Sequence, residues 1–134
     1  MHASIRNHVK NNKALIAECG GFIYLGEFLH NNGIEYKMTG VFEHVASMNN
    51  AKLTLGYRSV EINGVSFSGH EFHYSNLTIT PETTSFIMKN ARGPEVEMPI
   101  YRNKNCLASY MHLYCGEKHK MSELLNVLSI KTIK

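Results

Sequence analysis

An α/β fold is expected of these 134 residues, with antiparallel strands filling the second half. Residues 14–18 (ALIAE) form an apolar run too short for a helix and suited to a buried strand, and Cys19-Gly20-Gly21 follows at once. Residues 22–30 resume helical spacing, with Phe22, Leu25, Phe28 and Leu29 on one side. Beyond Gly33 the chain turns to short segments rich in β-branched and aromatic residues.

The elements follow in order. Residues 4–12 read as a helix, with Ile5 and Val9 on one face and Ser4 as the N-cap. After the 14–18 strand and the turn, the 22–30 helix is closed by Asn31-Asn32-Gly33. Strands are expected near 38–48, 53–62, 65–74, 84–90, 97–102 and 106–114, with Asn63-Gly64 the strongest hairpin signal. Residues 121–128 predict a closing helix capped by Ser122. No repeat or linker interrupts the chain, which reads as one domain.

Composition excludes several classes. Apolar residues at 43% and charged residues at 19% match an ordinary globular chain. A net charge of +3 with dispersed lysines and arginines argues against a nucleic-acid surface. Three irregularly spaced cysteines argue against a disulfide framework and for a reducing cytoplasm. Neither a signal peptide nor a membrane span is expected, because no apolar run has the length.

The chemistry concentrates at residues 14–26, ALIAECGGFIYLG. A strand that delivers a cysteine into a tight Gly-Gly turn before a helix has the form of a nucleophile elbow. Cys19 would sit at a helix N-terminus, where the dipole favours thiolate, and the Gly20 N–H would point at a developing oxyanion. The competing reading is a core thiol beside a turn.

A thiolate nucleophile needs a base, and His112, in the alternating segment CLASYMHLYC (106–115), is the candidate. Ala108, Tyr110, His112 and Tyr114 would share one face; a satisfied core histidine is the alternative. In GHEFHYS (69–75), Glu71 and His73 share a face, can hydrogen-bond and can line a pocket, or can be polar residues on a wet sheet face. No metal site is expected, because His70-x-x-His73 on a strand points its histidines to opposite faces. Tyr57 and Arg58 divide evenly between substrate contact and sheet packing.

AECGGFIYLGE (17–27), LGYRSVEI (55–62), GHEFHYSNL (69–77) and ASYMHLY (108–114), in that order, resemble the C-terminal glutamine amidotransferase domain of cobyrinate a,c-diamide synthases. The resemblance covers residues 4 to 129. It implies a class I amidotransferase with a flavodoxin-like sheet and flanking helices. It implies that Cys19 attacks the glutamine side-chain amide to form a γ-glutamyl thioester and release ammonia, with His112 as base. It also implies that ATP and magnesium act in a separate synthetase domain, which activates the carboxylates of cobyrinate or a related tetrapyrrole. His70-Glu71-Phe72-His73 favours the a,c-diamide branch over the cobyric acid branch.

Two departures qualify the carry-over. Tyr114 stands where the family motif has a second histidine. The chain also starts at the helix before the nucleophile strand, so 1–134 is expected to be a partial glutaminase domain lacking the synthetase domain and a glycine-rich loop with a second oxyanion N–H. Loss of one oxyanion donor costs about 10²–10³ in rate, so at most weak glutaminase activity is expected of the isolated chain. An exposed sheet surface would invite self-association. A catalytically silent remnant and another Cys–His hydrolase are the rival readings.

Overall fold

The computed structural model describes residues 1–82, 84–96, 99–117 and 119–129. Its fifteen described elements are α1 (His2–Lys10), β1 (Leu15–Glu18), α2 (Gly20–Tyr24), β2 (Phe28–Asn31), β3 (Ile34–Lys37), β4 (Val45–Ser47), β5 (Thr54–Ile62), β6 (Val65–His73), β7 (Asn76–Ile79), β8 (Thr84–Phe86), β9 (Met88–Asn90), β10 (Ile100–Asn103), β11 (Cys106–Ser109), β12 (Met111–Leu113) and α3 (Lys120–Ser129). The strands form three four-stranded sheets in the orders β1-β11-β10-β8, β12-β6-β5-β9 and β3-β2-β4-β7. Two pairings are parallel, β1 with β11 and β2 with β4. This is a mixed α/β architecture, as the sequence predicted. Among the described residues no helix is long and apolar enough to cross a membrane.

Alternation along β10 and β11 builds two cores on opposite faces of the first sheet. Ile100 and Leu107 join Val60, Phe67, Met111 and Leu128 in one cluster, beneath β5, β6 and α3. Tyr101, Cys106 and Ala108 join Val9, Phe22, Leu25 and Tyr110 in the other, beneath α1 and α2. The elbow therefore rests on a packed layer that fixes its height above the sheet.

Several expectations need correction. The first helix starts at His2 with Met1 in the cap position and no side-chain cap, so Ser4 lies within it. The helix over 22–30 stops at Tyr24, and Phe28–Asn31 is a strand. Asn32 and Gly33 both adopt positive φ and close the β2–β3 hairpin, so they are an Asn-Gly turn signal rather than a helix stop. β1 is half-buried rather than buried, because it stands at the sheet edge and only Ala17 is covered. The 84–90 segment divides between two sheets, as does 106–114, which breaks at Tyr110. The strand expected at 97–102 runs from Ile100 to Asn103, with residues 97 and 98 outside the described residues. β7 was not anticipated. α3 starts at Lys120, which puts Ser122 inside its first turn.

His44, fully buried, locks the short helix after the elbow. Its ring stacks on Phe22 at 4.1 Å, and its Nε2–H donates to the Phe22 carbonyl at 2.8 Å. Gly26 is required there, since a Cβ would collide with that ring. Burial pushes the imidazole down from 6.5 to about 4, against the opposing pull of the Phe22 hydrogen bond and the Glu43 charge. Between those values the folded chain binds fewer protons than the unfolded one, so stability rises with pH. The contribution is complete above the ordinary histidine value and is lost as pH falls towards 4, on the order of 3 kcal/mol. Urea midpoints measured at about pH 7 and pH 5 should show the drop, and His44→Phe should shrink it.

Candidate functional site

Cys19 joins β1 to α2 with φ 53° and ψ −108°. Most other non-glycine residues of positive φ here are asparagines, which tolerate that region; a cysteine has no such tolerance. Strain of this kind costs about 1–3 kcal/mol and survives where surrounding contacts impose it. The contacts are visible: Cys19 N–H donates to Ser109 O at 2.9 Å, and Ile23 N–H donates to Cys19 O at 3.1 Å. The sulfur remains half-exposed, with its nearest acceptor the Phe72 carbonyl of β6 at 3.8 Å. Gly20 is exposed in the first turn of α2, where N–H groups lack helical partners. A Cβ on Gly20 would meet only open space, so the region beside the thiol has room for an acyl group. The dipole argument weakens, however, because α2 has five residues rather than the nine expected.

The other two cysteines differ. Cys106 is fully buried, and burial pushes its thiol up to about 12. Burial, with the Glu18 charge, also raises Cys115.

His112 lies on β12, which leaves the first sheet at Tyr110 and pairs antiparallel with β6. Ser109 makes that bend: its carbonyl holds Cys19, and its Oγ accepts Met111 N–H at 3.0 Å. Glu18 ties the arrangement from the other side, its carboxylate accepting Leu113 N–H at 2.7 Å. Gly69 lets β12 approach, since a Cβ there would strike the His112 carbonyl. Two hydrogen bonds thus tie the segment carrying Cys19 to the one carrying His112, Cys19 N–H to the Ser109 carbonyl and Leu113 N–H to Glu18. Among the described residues none joins the sulfur to the His112 ring. Such contacts are often loose without substrate. The His112 ring stacks on His70, with centroids 5.0 Å apart and planes 20° apart.

Glu71 and His73 face the opposite side of β6 and are buried. Arg58 Nε donates to Glu71 Oε2 at 2.5 Å, and His73 Nε2 donates to Oε1 at 3.0 Å. His73 Nδ1 meets the Ser75 carbonyl at 3.0 Å, so both ring nitrogens face acceptors and both bonds form together only in the imidazolium. Its ring stacks on Tyr110 at 3.6 Å, and the Tyr110 hydroxyl bonds Ser75 Oγ at 2.8 Å. Burial raises the Glu71 carboxyl, but the hydrogen bonds and charges of His73 and Arg58 outweigh it and hold the group below the usual carboxylate range. Glu71, His73 and Tyr110 border a cavity of about 380 Å³ that neither Cys19 nor His112 lines. Because their polar atoms are already paired, they support Tyr110, the bend between Ser109 and His112, rather than offering free groups to a ligand.

Residues 1–120 match the CobB/CobQ-like glutamine amidotransferase domain. The chain belongs to this family. The chain is 34% identical over 124 residues to the cobyrinate a,c-diamide synthase of Listeria monocytogenes, covering 85% of this chain and 27% of that protein. With the synthase of the same name from Fusobacterium nucleatum the identity is 34% over 136 residues, covering 92% and 29%. The chain therefore spans little more than a quarter of these relatives. A crystal structure of a glutamine amidotransferase shares the fold, with a TM-score of 0.61 at 19% identity, covering 96% of this chain and 68% of the other.

In this chain Arg58 is an ion-pair partner of Glu71, where the sequence had left substrate contact and packing equal. The signal was present: a two-residue Asn63-Gly64 turn sets Ile62 against Val65, hence Gly56 against Glu71, with Arg58 folded over Gly56. His70 and His73 lie on opposite faces of β6, and among the described residues no group of three His, Cys, Asp or Glu is arranged to hold a metal.

Proposed function

We propose that this domain hydrolyses glutamine with Cys19 as nucleophile and His112 as base, supplying ammonia to a synthase of the cobyrinate a,c-diamide type. The Cys19 thiolate attacks the side-chain amide carbon, and the Gly20 N–H stabilises the oxyanion. The C–N bond breaks as His112 passes a proton to the leaving nitrogen, giving ammonia and a γ-glutamyl thioester. Water, deprotonated by His112, attacks the thioester and releases glutamate. The single observation that carries this reading is the left-handed backbone of Cys19 at a strand-to-helix junction, a strain without a packing purpose.

In the same proposal, ATP and magnesium act outside these 134 residues, on carboxylates of cobyrinate or a related tetrapyrrole, in the cytoplasm. The exposed edge of β1 is the chain's route to self-association.

A diazoketone analogue of glutamine tests the site. Alkylation is expected at Cys19 alone, with glutamine protecting it. Labelling of Cys115, or labelling that glutamine leaves unslowed, would sink the assignment.

A further inference from the structure

We infer that His70 is a positioning residue for His112 and that Tyr114 holds His70 in place. The inference rests on the proposed role of His112 as base. In a Cys–His site the base is commonly oriented by a third group. Among the described residues, no hydrogen bond to protein engages the His112 ring. The Glu71 carboxylate lies on the other face of β6, with one oxygen bonded to Arg58 and the other to His73. His73 is engaged with Glu71, Ser75 and Tyr110 on that same face.

What meets His112 is His70, its register partner across the β6–β12 pair. The rings lie nearly parallel, 5.0 Å apart. His70 is fixed in turn: its Nδ1 is 3.0 Å from the Tyr114 hydroxyl, and the Tyr114 ring packs against it at 5.5 Å. Tyr114 is two residues beyond His112, just past the end of β12, so one short segment carries both the base and the group that anchors the base's platform.

The chemistry suits the position. The hydrogen bond between His70 Nδ1 and the Tyr114 hydroxyl fixes the ring plane, and with the hydroxyl as donor it leaves the ring proton on Nε2. A neutral ring can stack on His112 in either protonation state, whereas a second cation would repel it just as it takes up the thiol proton. The histidine run singled out in the sequence thus serves both faces of β6. Glu71 and His73 brace the strand bend from inside, and His70 sets the base outside.

Imidazole NMR of the full chain tests this without requiring turnover. In the wild type, His112 is expected to show ring-current-shifted proton signals, and His70 a single Nε2–H tautomer. His70→Ala should abolish the His112 shift, Tyr114→Phe should release the fixed tautomer, and His70→Phe should keep a stacked His112. Glutamine hydrolysis, read in parallel, should lose roughly 3- to 10-fold in kcat with His70→Ala, with little change in KM, and recover in His70→Phe. Unchanged His112 signals in both His70→Ala and Tyr114→Phe overturn the inference. Coupled signals in a chain that hydrolyses no glutamine leave the positioning standing and defeat only the proposed function. Hydrolysis with uncoupled signals does the reverse.

Discussion

Cys19→Ala is expected to reduce glutamine hydrolysis to background, a fall of about 10³ or more in kcat, and to abolish the γ-glutamyl adduct in acid-quenched samples. The loss should be chemical rather than structural. Alanine retains the backbone bonds from Cys19 to Ser109 and from Ile23 to Cys19, and it leaves Phe22 and Leu25 in the core. Circular dichroism and the urea midpoint should therefore match the wild type while turnover disappears. His112→Ala should behave differently, slowing both acylation and deacylation by about 10²–10⁴ without changing which residue carries the adduct. An adduct that persists in Cys19→Ala would transfer the nucleophile's role elsewhere and leave the strained backbone unexplained.

Glu71→Ala should produce the largest loss of stability, about 3–5 kcal/mol, equivalent to a fall of roughly 10 °C in Tm. The side chains of Arg58, Glu71 and His73 are 10%, 1% and 7% exposed, so removing the carboxylate leaves the Arg58 guanidinium and the His73 Nε2 without their shared acceptor and with little water. Glu71→Gln should cost less, since the amide keeps the volume and one acceptor. The pH dependence has a definite sign. The Glu71 carboxyl lies below its ordinary range in the fold, so its contribution is complete above that range and is lost as pH falls through the folded value. Urea denaturation of both variants and the wild type across the acid range checks it. A wild-type-like Glu71→Ala would show that the network contributes nothing net to folding.

How much was legible in the sequence depended on how local the cause was. The elbow was legible because strand, cysteine, two glycines and helix are contiguous and each dictates its own backbone. The strand at Phe28–Asn31 was not, because its apolar spacing fits a helix equally well and its strand state comes from parallel pairing with β4. The Asn32-Gly33 turn was the local clue, and it was assigned to the wrong element. The break at Tyr110 was also hidden, since apolar alternation continues unbroken across it while the pairing partner changes from β10 to β6. His112 could be chosen as base only through the resemblance; its surroundings, His70 and Tyr114, required the register. Glu71 and His73 were correctly put on one face, but their partner Arg58 needed the hairpin to be followed seven pairs along, to Gly56 opposite Glu71.

One consequence follows from the way β1 is held. Among the described residues its one ladder partner is β11, and the bond from Glu18 to Leu113 links positions 95 apart in the chain. On the ribosome, the residues between β1 and β11 must emerge before that partner exists, so until then the strained bend at Cys19 lacks the Ser109 carbonyl that holds it. Closing so long a loop is slow and entropically costly. The bend at Cys19 is therefore set late: of the described pairings, only β10–β11 and β6–β12 wait as long.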